Sequence, residues 1–200
     1  MSLNLVLCEN LSLPSKCICK WKREKKDKSK VHTETIIQDV NRLLIDSDFE
    51  REYICTHILN KLVQLTKSEY GLLMHVKECN GDVELHAHGI TNMAWNSSSR
   101  KFFESYIDTP LVFKNIDNML FGDVFSNKEV IIHNDYSKDK RSILPKGHPP
   151  IRRFMGIPIL IGEKPIMILG VCNKIHKFKK KDALQVKHLM NILAYLFIQL

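Results

Sequence analysis

The chain contains no Cys-x-x-Cys pair. Its six cysteines are scattered through predicted tail, helix, turn and strand, so the common form of structural zinc site is excluded. No apolar run is long enough to span a bilayer. Residues 1–13 are weakly apolar but lack a basic leading region and a long apolar stretch. That argues against a secretory signal and for reduced thiols inside the cell. A serine nucleophile elbow, a Gly-rich phosphate loop and a His-Glu-x-x-His helix are all missing. Nothing supports an enzyme, and no catalytic residue is assigned. Internal repeats are absent as well.

What is present fits one domain with an extension. The chain has 200 residues, of which 44% are hydrophobic and 26% charged, as in an ordinary globular protein. Charge is uneven. Residues 1–30 carry eight Lys or Arg against three Asp or Glu, a net of +5 out of the total +8. The remainder is close to neutral, so a general nucleic-acid-binding face is not indicated. Residues 1–32 are expected to be a flexible basic tail, and 33–200 a single domain. In the tail, Cys17 and Cys19 stand beside Lys20, Trp21 and Arg23. That pattern fits an acylation site next to a polybasic membrane anchor. A nuclear-import or nucleic-acid patch and a plain solubilising tail are the rival readings.

Apolar spacing predicts the domain's elements. Ile36, Ile37, Val40, Leu43 and Leu44 share one face of a helix over Thr33–Ile45. Ser47 and Glu50 fit a capping box for a second helix over Phe49–Thr66, with the stripe Tyr53, Ile54, Ile58, Leu62 and Leu65. Tyr70–Glu78 and Val83–Ile90 read as strands joined through Asn80-Gly81, the strongest two-residue hairpin signal. The register that follows places His75 opposite His86 and Leu73 opposite His88. Leu72, Met74, Val76, Val83, Leu85 and Ala87 then form an apolar face, expected to meet the helices. The other face carries His75, His86, His88, Lys77 and Glu84. Short helices are expected over Ser98–Ile107 and Asn115–Phe125, the second interrupted by Gly122, with a short strand over Glu129–His133. A last helix over Lys181–Leu200 is apolar on most sides near its end, so it is expected to be buried on more than one side.

The stretch Leu144–Lys174 is the most informative. Pro149 and Pro150 make a rigid loop. Phe154–Ile161 and Ile166–Cys172 flank the turn Gly162-Glu163-Lys164-Pro165 and read as a hairpin. Both runs are apolar throughout, so the hairpin belongs inside a sheet covered on both sides. Pro158 cannot donate to a ladder and must face an edge, a bulge or open space.

This stretch resembles the GAF domain family. The branch it is similar to carries D…D-x-R…L-P-x-G-H-P-P…F-x-G-I-P…G…N. Here these are Asp135, Asp139, Arg141, Leu144, Pro145, Gly147, His148, Pro149, Pro150, Phe154, Gly156, Ile157, Pro158, Gly170 and Asn173. More loosely, the likeness extends over about residues 35–200. The resemblance implies an α/β (α+β), GAF/PAS-like fold. Its central antiparallel sheet has the N- and C-terminal helices on one face and a ligand pocket on the other. It implies a sensory module that binds a small molecule or dimerises, and no particular ligand, so the cofactor is unknown. The alternatives are a scaffold with no ligand and, less favoured, a cysteine-based redox enzyme.

Three groups of side chains are candidate sites. His75, His86 and His88 could converge on a metal, a haem iron or an anionic ligand; the competing reading is a solvated strand face. If the resemblance carries over, the histidine face is the pocket face, and His86 and His88 point into a cavity against residues 95–150. The loop residues Arg141, His148 and Arg153, with Lys140 and Arg152, could hold a phosphate or carboxylate. Ion pairs from Arg141 to Asp135 or Asp139 that merely tie the loop down are the competing reading. Asn173-Lys174, with Phe178 and Asp182, resembles the N-K…F-x-x-x-D-E signature of phosphodiesterase GAF domains, but Ala183 replaces the Glu. A structural pairing of Lys174 with Asp182 is the favoured reading. No metal ligand set is assigned. The expected partners are a small-molecule ligand and a second copy docked on the exposed side of Ala194, Tyr195 and Ile198, with residues 36–44. The expected location is cytoplasmic, or membrane-associated or nuclear if residues 15–30 act as an anchor or import signal.

Overall fold

Two β-hairpins meet side by side to form the centre of a six-stranded antiparallel sheet. The computed structural model describes residues 33–45, 51–79, 81–106, 111–136, 144 and 146–199. The side chains at 44, 51, 192, 193 and 195–199 are outside that description. So are Cys17, Cys19, Arg141 and the Ser47–Glu50 cap.

The elements are α1 (Thr33–Ile45), α2 (Arg51–Thr66), β1 (Tyr70–Cys79), β2 (Asp82–Ile90), α3 (Ser97–Glu104) and β3 (Val112–Phe113). They continue with a 3₁₀ turn (Ile116–Asn118), α4 (Leu120–Asn127), β4 (Ile131–His133), β5 (Phe154–Ile161), β6 (Lys164–Cys172) and α5 (Lys180–Gln199). The strand order is β3-β2-β1-β6-β5-β4. The edges are strands of two and three residues, which offer little template for pairing with another chain. β5 and β6 are inner strands, as their unbroken apolar runs require. Pro158 faces Ile168 on one side. On the other it lies beyond Ile131–Gly156, the last pair with β4.

Side-chain alternation divides the core into two layers. On one face α1, α2 and α5 supply Ile36, Val40, Ile58, Leu62, Val186 and Leu189, packed on Leu73, Ile157, Leu169 and Val171 of the sheet. On the other, Met74, Leu85, Phe154 and Ile168 meet Ile116, Leu120 and Val124 from the 3₁₀ turn and α4. The apolar face of the first hairpin therefore meets α4 and its neighbours. The terminal helices cover the opposite face, which reverses the expected assignment.

The first hairpin differs from its expected register at one point. His75 does pair with His86, but Leu73 pairs with Gly89. A β-bulge between Leu73 and Met74 makes His88 the extra residue. The bulge flips the parity of β2, so Gly89 faces α2. A Cβ there would lie 3.0 Å from the Cys55 carbonyl oxygen.

Gly122 lies within α4 and does not interrupt it. A Cβ at that position would fall 1.9 Å from the Ile116 carbonyl oxygen, so glycine lets the helix follow the 3₁₀ turn directly. Gly156 and Gly170 are cross-strand partners that open a shallow bed for α4. A Cβ on Gly156 would lie 2.4 Å from Val124, and one on Gly170 2.6 Å from the Phe121 ring.

Candidate functional site

The segment 146–153 crosses the end of the sheet, and the Asn173 side chain makes three of the hydrogen bonds that hold it there. Asn173, the residue after β6, is 1% exposed and sits at φ +60. Its Oδ1 accepts from the backbone N–H of Arg152 at 2.7 Å and of Arg153 at 3.3 Å. Its Nδ2 donates to the Pro150 carbonyl at 2.8 Å and to Glu69 at 3.0 Å. Both proline carbonyls also receive the Tyr70 hydroxyl, at 3.4 and 3.3 Å. A segment with two prolines has few backbone donors of its own, so its position depends on such side chains.

The same point connects to α5. Arg153 Nη1 donates to the Lys174 carbonyl at 3.2 Å. Lys174 Nζ lies 2.6 Å from the Asp182 carboxylate in the first turn of α5. Asp182 also accepts the Lys179 N–H at 2.8 Å, closing the helix start. Partial burial pushes the Asp182 carboxyl up, but the hydrogen bonds from Lys174 and Lys179 outweigh it and hold it below the ordinary value. Asn134 supports the approach to α5 by exchanging two hydrogen bonds with the backbone of Phe178, at 3.0 and 2.7 Å.

Around the loop stands a cluster of aromatic rings. His148 lies edge-on to Phe102, with centroids 5.2 Å apart, and to Tyr70 at 6.0 Å. Tyr70 contacts Trp95 at 5.5 Å, and Phe102 contacts Tyr106 at 5.0 Å. Trp95 is 43% exposed, which leaves an apolar ring open at the rim. The α3 helix that carries Phe102 is set by a reciprocal cap between Asn96 and Ser99. His148 donates from Nδ1 to the Pro149 carbonyl at 2.6 Å. Burial lowers its pKa, so the ring is neutral at pH 7 and Nε2 is an acceptor. His148 therefore places a neutral acceptor among aromatic edges.

The three strand histidines are brought together, but against the helices. His75 and His88 have ring centroids 5.8 Å apart. His88 donates from Nδ1 to Glu52 of α2 at 3.2 Å. His86 donates from Nε2 to Glu84 at 2.9 Å, and Lys114 reaches the other Glu84 oxygen at 2.6 Å. Hydrogen bonds from Lys114 and then His86 lower the Glu84 pKa. The expectation that His86 and His88 line a cavity against residues 95–150 is thus corrected. The bulge and the two-layer packing put them on the α2 side. Arg153 turns toward Lys174, and Arg152 pairs with Glu69 at 2.7 Å.

Of the described cysteines, Cys55 and Cys172 are buried. Burial pushes the Cys172 thiol up to about 12, so it is not a thiolate at neutral pH. Ala194 is 1% exposed and packs in the helix-side core, so it is not part of an exposed docking patch. The Tyr195 and Ile198 side chains lie outside the described residues. Among the described residues, no helix is long and apolar enough to cross a membrane.

The family model for the GAF domain matches residues 50–196. The chain belongs to the GAF domain family. Solved GAF domains share its fold. That of an Acinetobacter phosphoenolpyruvate-protein phosphotransferase aligns with TM-score 0.63 and 17% identity, over 84% of this chain and 90% of that one. The corresponding domain from Coxiella burnetii gives 0.62 and 16%, over 86% and 98%. The free methionine-R-sulfoxide reductase of Neisseria meningitidis gives 0.58 and 12%, over 84% and 89%. In sequence, the GAF domain is 26% identical over 146 residues to the methyl sulfide methyltransferase-associated sensor of Methanosarcina acetivorans. That match covers 72% of this chain and only 13% of the sensor.

Glu69, Tyr70, Trp95 and Asn134 were not among the expected site residues of this GAF domain. Each acts across a long separation, 104 residues for Glu69 to Asn173. Periodicity carries no signal for such contacts.

Proposed function

We propose that this GAF domain is a sensory module that takes a small aromatic or heteroaromatic ligand beside Trp95, Phe102, Tyr106 and His148, and passes occupancy to α5. The observation that carries this reading is the continuous path from the His148 loop through Asn173 to Lys174 and Asp182. A ligand that favours one position of the loop biases the start of α5 by its difference in affinity for the two arrangements. The sensor name of the Methanosarcina relative supports a signalling role. The output surface is formed by α1 and α5, docked on a second copy about a two-fold axis. The domain acts without turnover. Burial of Cys55 and the protonated state of Cys172 make these two thiols poor redox groups, despite the fold shared with a reductase.

Native mass spectrometry of protein purified under mild conditions tests this reading. The expected result is a retained small molecule that is lost in Trp95→Ala and His148→Ala, together with a dimer. If no mass is retained, a panel of aromatic amines and heterocycles is screened by thermal shift. A chain that retains nothing and responds to none of them is a scaffold that works through protein contacts alone.

A further inference from the structure

The tip of the first hairpin carries three donors of different chemistry. Cys79 Sγ, a Glu84 carboxylate oxygen and a His86 ring nitrogen all lie within 4.8 Å of one another. Cys79 ends β1, opposite Asp82, and Glu84 and His86 follow on β2. Alternation places all three side chains on one face of the sheet. Each residue is half-buried. None belongs to the aromatic cluster or to the Asn173 path.

We propose that Cys79, Glu84 and His86 bind a divalent transition ion, with zinc the best match. Thiolate, imidazole and carboxylate together suit zinc and its analogue cobalt, whereas magnesium and calcium prefer oxygen alone. Two atoms bound to one zinc at roughly 2.0–2.3 Å lie about 3.5 Å apart. The widest separation therefore needs to close by at most about 1.3 Å, while the 2.9 Å contact of His86 Nε2 with Glu84 Oε2 opens by about 0.6 Å. The ion replaces the hydrogen bond from His86 Nε2 to Glu84 Oε2, and the imidazole proton moves to Nδ1. Lys114 stays on Glu84 Oε1 as an outer partner that orients the carboxylate. Cys79 loses its thiol proton to solvent as the metal–sulfur bond forms. A water fills the fourth position of an open tetrahedral site.

Cobalt(II) titration of the reduced full chain is the test. One equivalent is expected to give a thiolate-to-cobalt charge-transfer band. That band should vanish in Cys79→Ser and His86→Ala and persist in Cys17→Ser/Cys19→Ser. In unsubstituted protein, zinc should also protect Cys79 from iodoacetamide, read by peptide mass, a measurement that needs no folded variant. The proposal is overturned by any of four results. These are no charge-transfer band in the unsubstituted chain, a band that survives Cys79→Ser, a band lost in the tail variant, or Cys79 labelling that zinc does not slow.

Discussion

The Asn173 side chain accepts the Arg152 backbone N–H at 2.7 Å across 21 residues, and so ties the proline loop to the end of β6. Its amide nitrogen continues to Pro150 and Glu69. Asn173→Ala removes all of these part-buried bonds at once. It also puts a Cβ residue without a polar side chain in the left-handed region. A loss of about 3 kcal/mol is expected in urea unfolding. Asn173→Gly keeps the backbone conformation and loses the same bonds. It should therefore destabilise slightly less than alanine, and an alanine variant as stable as the parent would contradict the latch.

The Lys174–Asp182 pair should be visible in the acid limb of stability. Asp182 is held below the ordinary carboxylate value of 3.8 in the fold. Its contribution is therefore present above that value and is lost as pH falls through the folded pKa. Asp182→Asn should flatten stability in this window. Lys174→Met leaves a carboxylate whose side chain is only 12% exposed without its cation. The expected cost at pH 7 is about 2 kcal/mol, less than for a fully buried pair. Chemical denaturation from pH 2 to 7 checks both.

Much of this architecture is legible in the sequence. The stripes of α1 and α2, the two hairpins and the inner position of β5 and β6 follow from apolar spacing. The pairing of Lys174 with Asp182 is the structural reading favoured for that segment once Ala183 departs from the signature. The assignment of sheet faces does not, because both faces of this sheet are covered. Leu72, Met74 and Leu85 look like a helix-facing surface, yet Leu73 takes that place with Leu169 and Val171. Nor does the bulge at His88 leave a local mark, since it arises where Gly89 must approach the Cys55 backbone. Cys79 reads as a turn residue from its place beside Asn80-Gly81, which hides its alignment with Glu84 and His86. The Asn173 latch depends on tertiary contacts that no window contains.

Gly156 should be the least tolerant position of the second hairpin. Its added methyl would meet Val124 at 2.4 Å, and Val124 is fully buried. Gly156→Ala must push α4 off the sheet, at a cost of about 1–3 kcal/mol. At Gly170 the obstacle is the tip of the Phe121 ring at 2.6 Å, which can rotate, so Gly170→Ala should cost less. Thermal melting of the two variants gives the order. Equal and negligible shifts would mean that α4 does not rest on these glycines.

Stability should also fall on mild acidification because of His57. This ring lies between α1 and α2, and its Nε2 is buried without a hydrogen bond. Burial lowers its pKa from 6.5, Lys61 lowers it further, and Asp39 of α1 partly offsets both. Lys61 already holds Asp39 at 2.8 Å, whereas His57 stands 3.9 Å from the same carboxylate. Tyr53 stacks beside the ring at 6.5 Å. The unfolded chain takes up the His57 proton near pH 6.5, while the folded chain resists it to a lower pH. Between those values the unfolded state binds more protons, so stability drops as pH falls. His148 shifts in the same direction through burial and adds to the slope. His57→Gln should make the stability curve shallower between pH 6.5 and 5, and His57→Gln/His148→Gln shallower still. Urea unfolding at half-unit intervals measures it, and a slope unchanged in the double variant would exclude these two rings as its source.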